Sequence, residues 1–264
     1  MSPEPVAFLD SGVGGLPYLN HARRLITGRR FVYVADRANF PYGEKDRRSI
    51  IDAAVSVAER LIQKENPRLI VVACNTMSVV ALAALRERFS LPFVGVVPAI
   101  KPAAALSRRR CVGILATRQT VEGEYLRGLI EKHASGCSVV SLPSAGLVEF
   151  VEKELYQACP EEREDRVRAE VTRFRSEGID ALVLGCTHFL HLEPEFRRLL
   201  ETDRIALVDS REGVSRQVRR LLSESPAAAA PLPRDSLYVT GAMPVESRYA
   251  WFADQFGLCL EGTL

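Results

Sequence analysis

The chain has 264 residues, 47% hydrophobic and 26% charged, and its 35 Lys and Arg nearly cancel 33 Asp and Glu, leaving a net charge of +2. That composition excludes disordered and fibrous proteins, and the lack of a basic excess speaks against nucleic acid or a membrane surface as partner. No run approaches the roughly 18 apolar residues of a membrane span, and the opening MSPEPVAFLDSGVGG has no signal-peptide pattern, so the expected place is the cytoplasm.

Short β-branched apolar runs recur along the chain: VAFLD (6–10), FVYVA (31–35), LIVVAC (69–74), FVGVV (93–97), CVGILAT (111–117), SVVSL (138–142), ALVLGC (181–186), IALVD (205–209) and SLYVTG (236–241). Amphipathic stretches separate most of them, which is the pattern of parallel strands joined by helices, so the predicted fold class is α/β. Ile50, Ile51, Ala54, Val55, Ala58, Leu61 and Ile62 recur at helical spacing, and Pro67 stops that helix before the next strand. Val167, Val171 and Phe174 repeat the pattern ahead of ALVLGC, with Gly178 placed for a positive φ.

LIVVACNT (69–76) and ALVLGCTH (181–188) resemble each other, and their cysteines stand 112 residues apart, about one domain. Two like-built halves would explain this; so would chance, because buried parallel strands look alike. The Pro/Ala stretch SESPAAAAPLPRD (223–235) reads as a linker. SLYVTG and a helix around Trp251 follow it and are too little to fold alone, so they pack back on an earlier domain. The other plausible boundary falls near 96–103.

Three motifs carry chemistry. Asp10-Ser11-Gly12-Val13-Gly14-Gly15 joins a strand to a helix, a glycine-rich turn suited to an anion. A dinucleotide fold would use it too, and Asp36, 21 residues beyond Gly15, mimics its ribose-binding acid, but Pro17 stands where the third glycine belongs. A plain tight turn is the third reading. Cys74-Asn75-Thr76 and Cys186-Thr187-His188 each place a thiol and two hydrogen-bonding side chains after a strand, where a helix dipole favours thiolate. In a reducing compartment the six cysteines stay unpaired, and without a CxxC pair thioredoxin-like exchange loses its support. Cys111, Cys137, Cys159 and Cys259 read as small buried hydrophobes. A zinc site from Cys74, Cys186, His188 and His191 has poor ligand spacing, a packed, hydrogen-bonded core histidine is the fairer rival reading of His188, and Tyr42 in Phe40-Pro41-Tyr42-Gly43 suits either core or lid.

Together DSGVGG (10–15), PYG (41–43), ACNT (73–76), VVPAIKPA (96–103), LATRQTV (115–121) and GCTH (185–188) resemble the glutamate racemases of bacterial cell-wall synthesis, in the right order over about residues 6 to 210. The resemblance implies two flavodoxin-like parallel-sheet α/β domains with the active site in the cleft between them, the chain returning to the first at its end, so that the first covers 1–97 plus 210–264 and the second 98–209, and it implies glutamate as the substrate. It implies no pyridoxal phosphate and no metal. Cys74 and Cys186 would be the two bases, one thiolate and one thiol in each direction, which remove the α-proton from one face and return a proton to the other. By the same resemblance Asp10 assists Cys74 and His188 assists Cys186, and Asp36 and Glu152 are further catalytic carboxylates, with Glu149 the alternative to Glu152. Substrate binding falls to Asp10, Ser11, Tyr42, Gly43, Asn75, Thr76, Thr187 and His188, with Thr117 and Thr120 beside them.

A related racemase acting on aspartate is the rival enzyme, and a non-catalytic protein recognising an acidic metabolite is the rival class. A pyridoxal enzyme finds no support, because none of Lys45, Lys64, Lys101, Lys132 and Lys153 ends a strand. A homodimer and regulation by a cell-wall precursor differ within the family and stay open.

Overall fold

The structure is a computed structural model that describes residues 4–222 and 233–264. Of the expected linker, 223–232 lie outside the described residues, and 233–235 have no regular structure. The chain divides into two compact units, Met1–Val96 with Arg211–Leu264, and Val97–Ser210.

The first unit opens with β1 (Val6–Asp10), α1 (Leu16–Leu25), β2 (Phe31–Ala35), α2 (Arg47–Glu65), β3 (Leu69–Val72), α3 (Asn75–Arg88) and β4 (Phe93–Gly95). The second holds α4 (Ile100–Leu106), β5 (Cys111–Ala116), α5 (Arg118–Val121), α6 (Glu124–His133), β6 (Ser138–Pro143), α7 (Ala145–Lys153), α8 (Pro160–Arg175), β7 (Ala181–Leu184), α9 (Glu193–Glu201) and β8 (Ala206–Val208). The chain then returns to the first unit with α10 (Arg211–Leu222), β9 (Ser236–Val239), α11 (Ser247–Gln255) and β10 (Cys259–Thr263).

All strand pairs are parallel, in the orders β10-β9-β2-β1-β3-β4 and β6-β5-β7-β8. Every residue of β1, β2, β3 and β7 is buried, as continuous apolar strands covered on both faces require. The four strands β2-β1-β3-β4 follow the same order as β6-β5-β7-β8, and the register agrees too. Leu9 pairs Val72 in one sheet and Leu115 pairs Leu184 in the other, and the thiols of Cys74 and Cys186 each follow two residues later. The likeness of 69–76 to 181–188 therefore extends to strand order and register, which favours two like-built halves over chance.

Helix α2 starts at Asp46, whose side chain accepts from the Ser49 backbone N–H at 3.0 Å, and it ends at Asn66 in a left-handed turn (φ 44°) just before Pro67. It buries Ile50, Ala54, Val57, Ala58 and Leu61 against β3 and α3, with Ile51, Val55 and Ile62 half-buried. In α8, Val167, Val171 and Phe174 are buried, and Gly178 takes φ 70° as expected. Strand β10 went unpredicted, because its CLEGT is short, polar and interrupted by a glycine at an irregularity in the ladder to β9. The four remaining cysteines correct the sequence reading: Cys111, Cys137 and Cys259 are half-buried and Cys159 is exposed. Cys111 and Cys259 begin strands and Cys159 caps α8, all positions at the margin of the core. Among the described residues no helix is long and apolar enough to cross a membrane.

Candidate active site

In the first unit, three loops at the carboxyl ends of β1, β2 and β3 carry the expected residues, the edge of a parallel sheet where ligands bind. Cys74, 6% exposed, is the N-cap of α3, and its sulfur accepts from the Met77 N–H at 3.5 Å, a contact that favours the thiolate. Ser11 Oγ lies 3.7 Å from that sulfur and 3.1 Å from Asp10 Oδ1, which also accepts from the Gly12 N–H at 2.9 Å. Asp10, Ser11 and Cys74 thus form a buried chain of carboxylate, hydroxyl and thiol.

Glycine in the turn is required by space. At Gly15 the backbone φ is an ordinary −79°, yet a Cβ would lie 2.5 Å from Ala73 Cβ and 3.0 Å from Asp10 Oδ2. Tyr33, fully buried on β2, pins the same turn: its hydroxyl donates to the Gly12 carbonyl at 2.8 Å and accepts from the Gly15 N–H at 2.9 Å. Sequence reading missed Tyr33 because it sits within an apolar run, with no signal beyond its hydroxyl.

Asn75 and Thr76, the first residues of α3, are buried. Neither polar atom of the Asn75 amide has a hydrogen-bond partner, a costly arrangement that a polar ligand would satisfy. Tyr42 begins a short 3₁₀ turn that includes the half-buried Gly43. Its hydroxyl, pushed far above its ordinary pKa by burial and then by the Asp36 carboxylate, with Cys74 and Asp10 adding to the effect, stays protonated. It donates to Asp36 Oδ2 at 2.5 Å. Asp36 is fully buried and also accepts from Asn39 Nδ2 and from the Thr240 hydroxyl. Its oxygens are therefore engaged within the protein, as a nucleotide ribose would not allow. Thr240 follows β9 and was not anticipated, although a polar residue directly after an apolar strand run is the pattern that exposed Asp10 and Asp36.

In the second unit, Cys186, 6% exposed, follows β7 and begins the 3₁₀ helix Thr187–Leu192 rather than an α-helix. His188 Nδ1 is 3.9 Å from its sulfur, and His188 Nε2 is 3.0 Å from Glu152 Oε2 on α7. Glu152 and His188 are 1% and 2% exposed, whereas Glu149 is exposed and paired with Lys153. With Glu152 accepting the Nε2 proton, neutral His188 turns an acceptor toward the thiol; doubly protonated, it turns a donor toward the thiolate. Thr187 is buried, and His191 is half-buried one turn on. Thr117, at the register position of Ser11, caps α5 by accepting from the Thr120 N–H at 3.3 Å, and the two hydroxyls lie 3.0 Å apart. Among the described residues no group of three or more His, Cys, Asp or Glu is arranged to hold a metal ion.

Each of the two all-parallel α/β units follows its equivalent strand with a buried thiol beside a side chain able to handle a proton, Ser11 and Asp10 in one and His188 in the other. Comparison with known proteins narrows this. Residues 19–214 match the Asp/Glu/hydantoin racemase family. Glutamate racemase of Treponema pallidum is 41% identical over 260 residues, 98% of this chain and 96% of that protein. The crystal structure of Escherichia coli glutamate racemase with L-glutamate and the activator UDP-MurNAc-ala superposes with a TM-score of 0.90 at 35% identity, covering 99% of this chain and 98% of that one. Glutamate racemase of Francisella tularensis in complex with D-glutamate gives 0.80 at 26% identity, covering 99% and 97%. The chain belongs to the Asp/Glu/hydantoin racemase family.

Proposed function

We propose that this protein is a glutamate racemase, interconverting L- and D-glutamate without a cofactor and supplying D-glutamate for peptidoglycan. The observation that carries the reading is the pair of buried thiols at equivalent strand ends, Cys74 beside Ser11 and Asp10, Cys186 beside His188 and Glu152. Racemisation needs one base on each face of the α-carbon. One thiolate takes the α-proton and becomes a thiol; the opposite thiol gives its proton to the other face and becomes the thiolate, so no proton is gained or lost.

The difficulty is energetic, since the α-carbon is a far weaker acid than a thiol. Oriented donors around the carboxylates and exclusion of water narrow that gap. Ser11, Tyr42, Gly43, Asn75, Thr76 and Thr187 are assigned to hold the two carboxylates and the ammonium, with Thr117 and Thr120 beside them. The orphaned Asn75 amide supports this, because a carboxylate would take its N–H and the ammonium its oxygen. The cytoplasm, whose reducing conditions keep both thiols free, is the assigned compartment.

The test is the circular dichroism of pure L-glutamate, and separately of D-glutamate, with the purified protein in deuterated water. Loss of signal with one deuterium entering the α-position is expected, and L-aspartate should stay unchanged. No loss from either glutamate enantiomer overturns the reading. Regulation by a cell-wall precursor belongs to the same proposal, because the E. coli enzyme's structure contains UDP-MurNAc-ala as an activator; adding that compound to the assay tests it. A homodimer is read directly by sedimentation.

A further inference from the structure

Asp36 is the kind of buried acid that a racemisation mechanism invites one to use as a base, yet its hydrogen bonds lead elsewhere. Oδ2 accepts from the Tyr42 hydroxyl at 2.5 Å and from Asn39 Nδ2 at 3.0 Å; Oδ1 accepts from the Thr240 hydroxyl at 2.5 Å and from Asn39 Nδ2 at 3.1 Å. A carboxylate so surrounded orients its donors. Because the Tyr42 hydroxyl gives its single proton to Asp36, the lone pairs of its oxygen remain for a donor outside the protein, such as an ammonium group.

Thr240 completes this arrangement from a distant part of the chain. It is fully buried. Its hydroxyl accepts from the Ala38 N–H at 3.1 Å, which leaves its own proton directed at Asp36. Its backbone N–H donates to the Ala35 carbonyl at 3.0 Å, and its carbonyl accepts from Arg37 Nε at 2.6 Å. Every polar atom of Thr240 is therefore used on residues 35–38, the segment that leads from β2 to Tyr42. Arg37 closes the loop by reaching Glu246 and the Ala242 carbonyl. Thr240 also lies beyond residues 19–214, the stretch that matches the family.

We infer that Thr240 is a positioning residue for the racemase: its hydroxyl locks the Asp36 carboxylate, which in turn holds Tyr42 in the orientation that receives the amino-acid substrate. The inference rests on the proposed glutamate racemase activity. Thr240 touches neither thiol and acts on substrate binding through Asp36 and Tyr42.

The experiment is a double-mutant cycle on the full chain with Thr240→Val, which keeps shape and backbone bonds, Thr240→Ser, which keeps the hydroxyl, and Tyr42→Phe. Thr240→Val should raise KM for glutamate about tenfold, the order that losing one charge-assisted hydrogen bond produces, with kcat within about threefold of wild type. Thr240→Ser should restore KM. On the Tyr42→Phe background, Thr240→Val should add little, because the path to substrate is already cut. Melting temperatures of all variants separate loss of folding from loss of positioning. An unchanged KM in a folded Thr240→Val, equal effects of Val and Ser, or full additivity with Tyr42→Phe overturns the inference while leaving the racemase reading intact. A wild-type protein that does not racemise glutamate defeats that reading itself and the inference with it.

Discussion

At the scale of single residues, the two thiols carry the sharpest expectation. Cys74→Ser and Cys186→Ser should each lower racemisation by at least about a hundredfold, the scale of losing a general acid–base group, with the far-ultraviolet spectrum unchanged. Full turnover in either variant would remove the two-base mechanism. Gly15→Ala probes a different constraint. With a Cβ 2.5 Å from Ala73 Cβ, the substitution overpacks the junction of the two loops and should cost about 1–3 kcal/mol, read as a lower urea midpoint. An unchanged midpoint would mean the turn shifts aside freely. Many of these residues were legible in the sequence because polar groups directly after apolar strand runs stand out: Asp10, Ser11, Asn75, Thr187. Tyr33 and Thr240 were not, since what they do depends on which strands lie side by side, and parallel pairing of β2 with β1 and β9 is set by tertiary packing.

At the scale of elements, the return of the chain is fastened to its start by a cluster around Glu65, at the end of α2. Glu65 accepts from the two terminal guanidinium nitrogens of Arg30, Nη1 at 2.5 Å and Nη2 at 3.4 Å, and from the Tyr238 hydroxyl at 2.6 Å, while Lys64 lies 4.6 Å from the Tyr238 ring centre. Burial pushes the Glu65 carboxyl up, but the hydrogen bonds from Arg30 and Tyr238 and the Arg30 charge outweigh it, so its pKa lies below the usual carboxylate value. A depressed folded pKa adds stability above the unfolded value of about 4.3 that is lost as pH falls through the folded one. Glu65→Gln should therefore cost on the order of 1 kcal/mol at neutral pH, the solvent-screened value of a partly exposed pair, and flatten this part of the acid unfolding limb. Identical acid profiles for variant and wild type would show that the cluster is not coupled to folding.

Tyr238 gives the mirror image. Burial and then the Glu65 carboxylate push its hydroxyl up to about 12, so its contribution is complete below the unfolded value of about 10 and disappears as pH climbs from there through about 12. Tyr238→Phe should erase that segment of the alkaline limb; an alkaline limb identical to wild type would contradict it. Helices α2 and α8 were readable from spacing because each buries one apolar stripe. Strand β10 was not, because an edge strand with half-buried positions needs little apolar pattern.

At the scale of the whole molecule, the α/β class was visible in the sequence, and so was the need of the final elements to pack back on an earlier domain, because SLYVTG and the Trp251 helix are too short to fold alone. Strand order was not visible, since buried parallel strands share one composition and nothing in LIVVAC or ALVLGC names its neighbour. The resulting architecture, with Val97–Ser210 continuous and the first unit split around it, matters most at the moment of synthesis. On the ribosome the N-terminal half emerges first, but β2 waits for β9 as its second neighbour. The middle unit can complete its own core as soon as residue 210 is clear, so the segment made second should fold first. Nascent chains stalled with residues up to 235 outside the tunnel should resist protease over 97–210 and be cut readily over 31–65; equal protection of both stretches would refute that order. The support for Asp36 from Thr240 arrives only with the last strands, so a partly made chain would already hold both thiols while lacking the hydroxyl that steadies Asp36 and, through it, Tyr42.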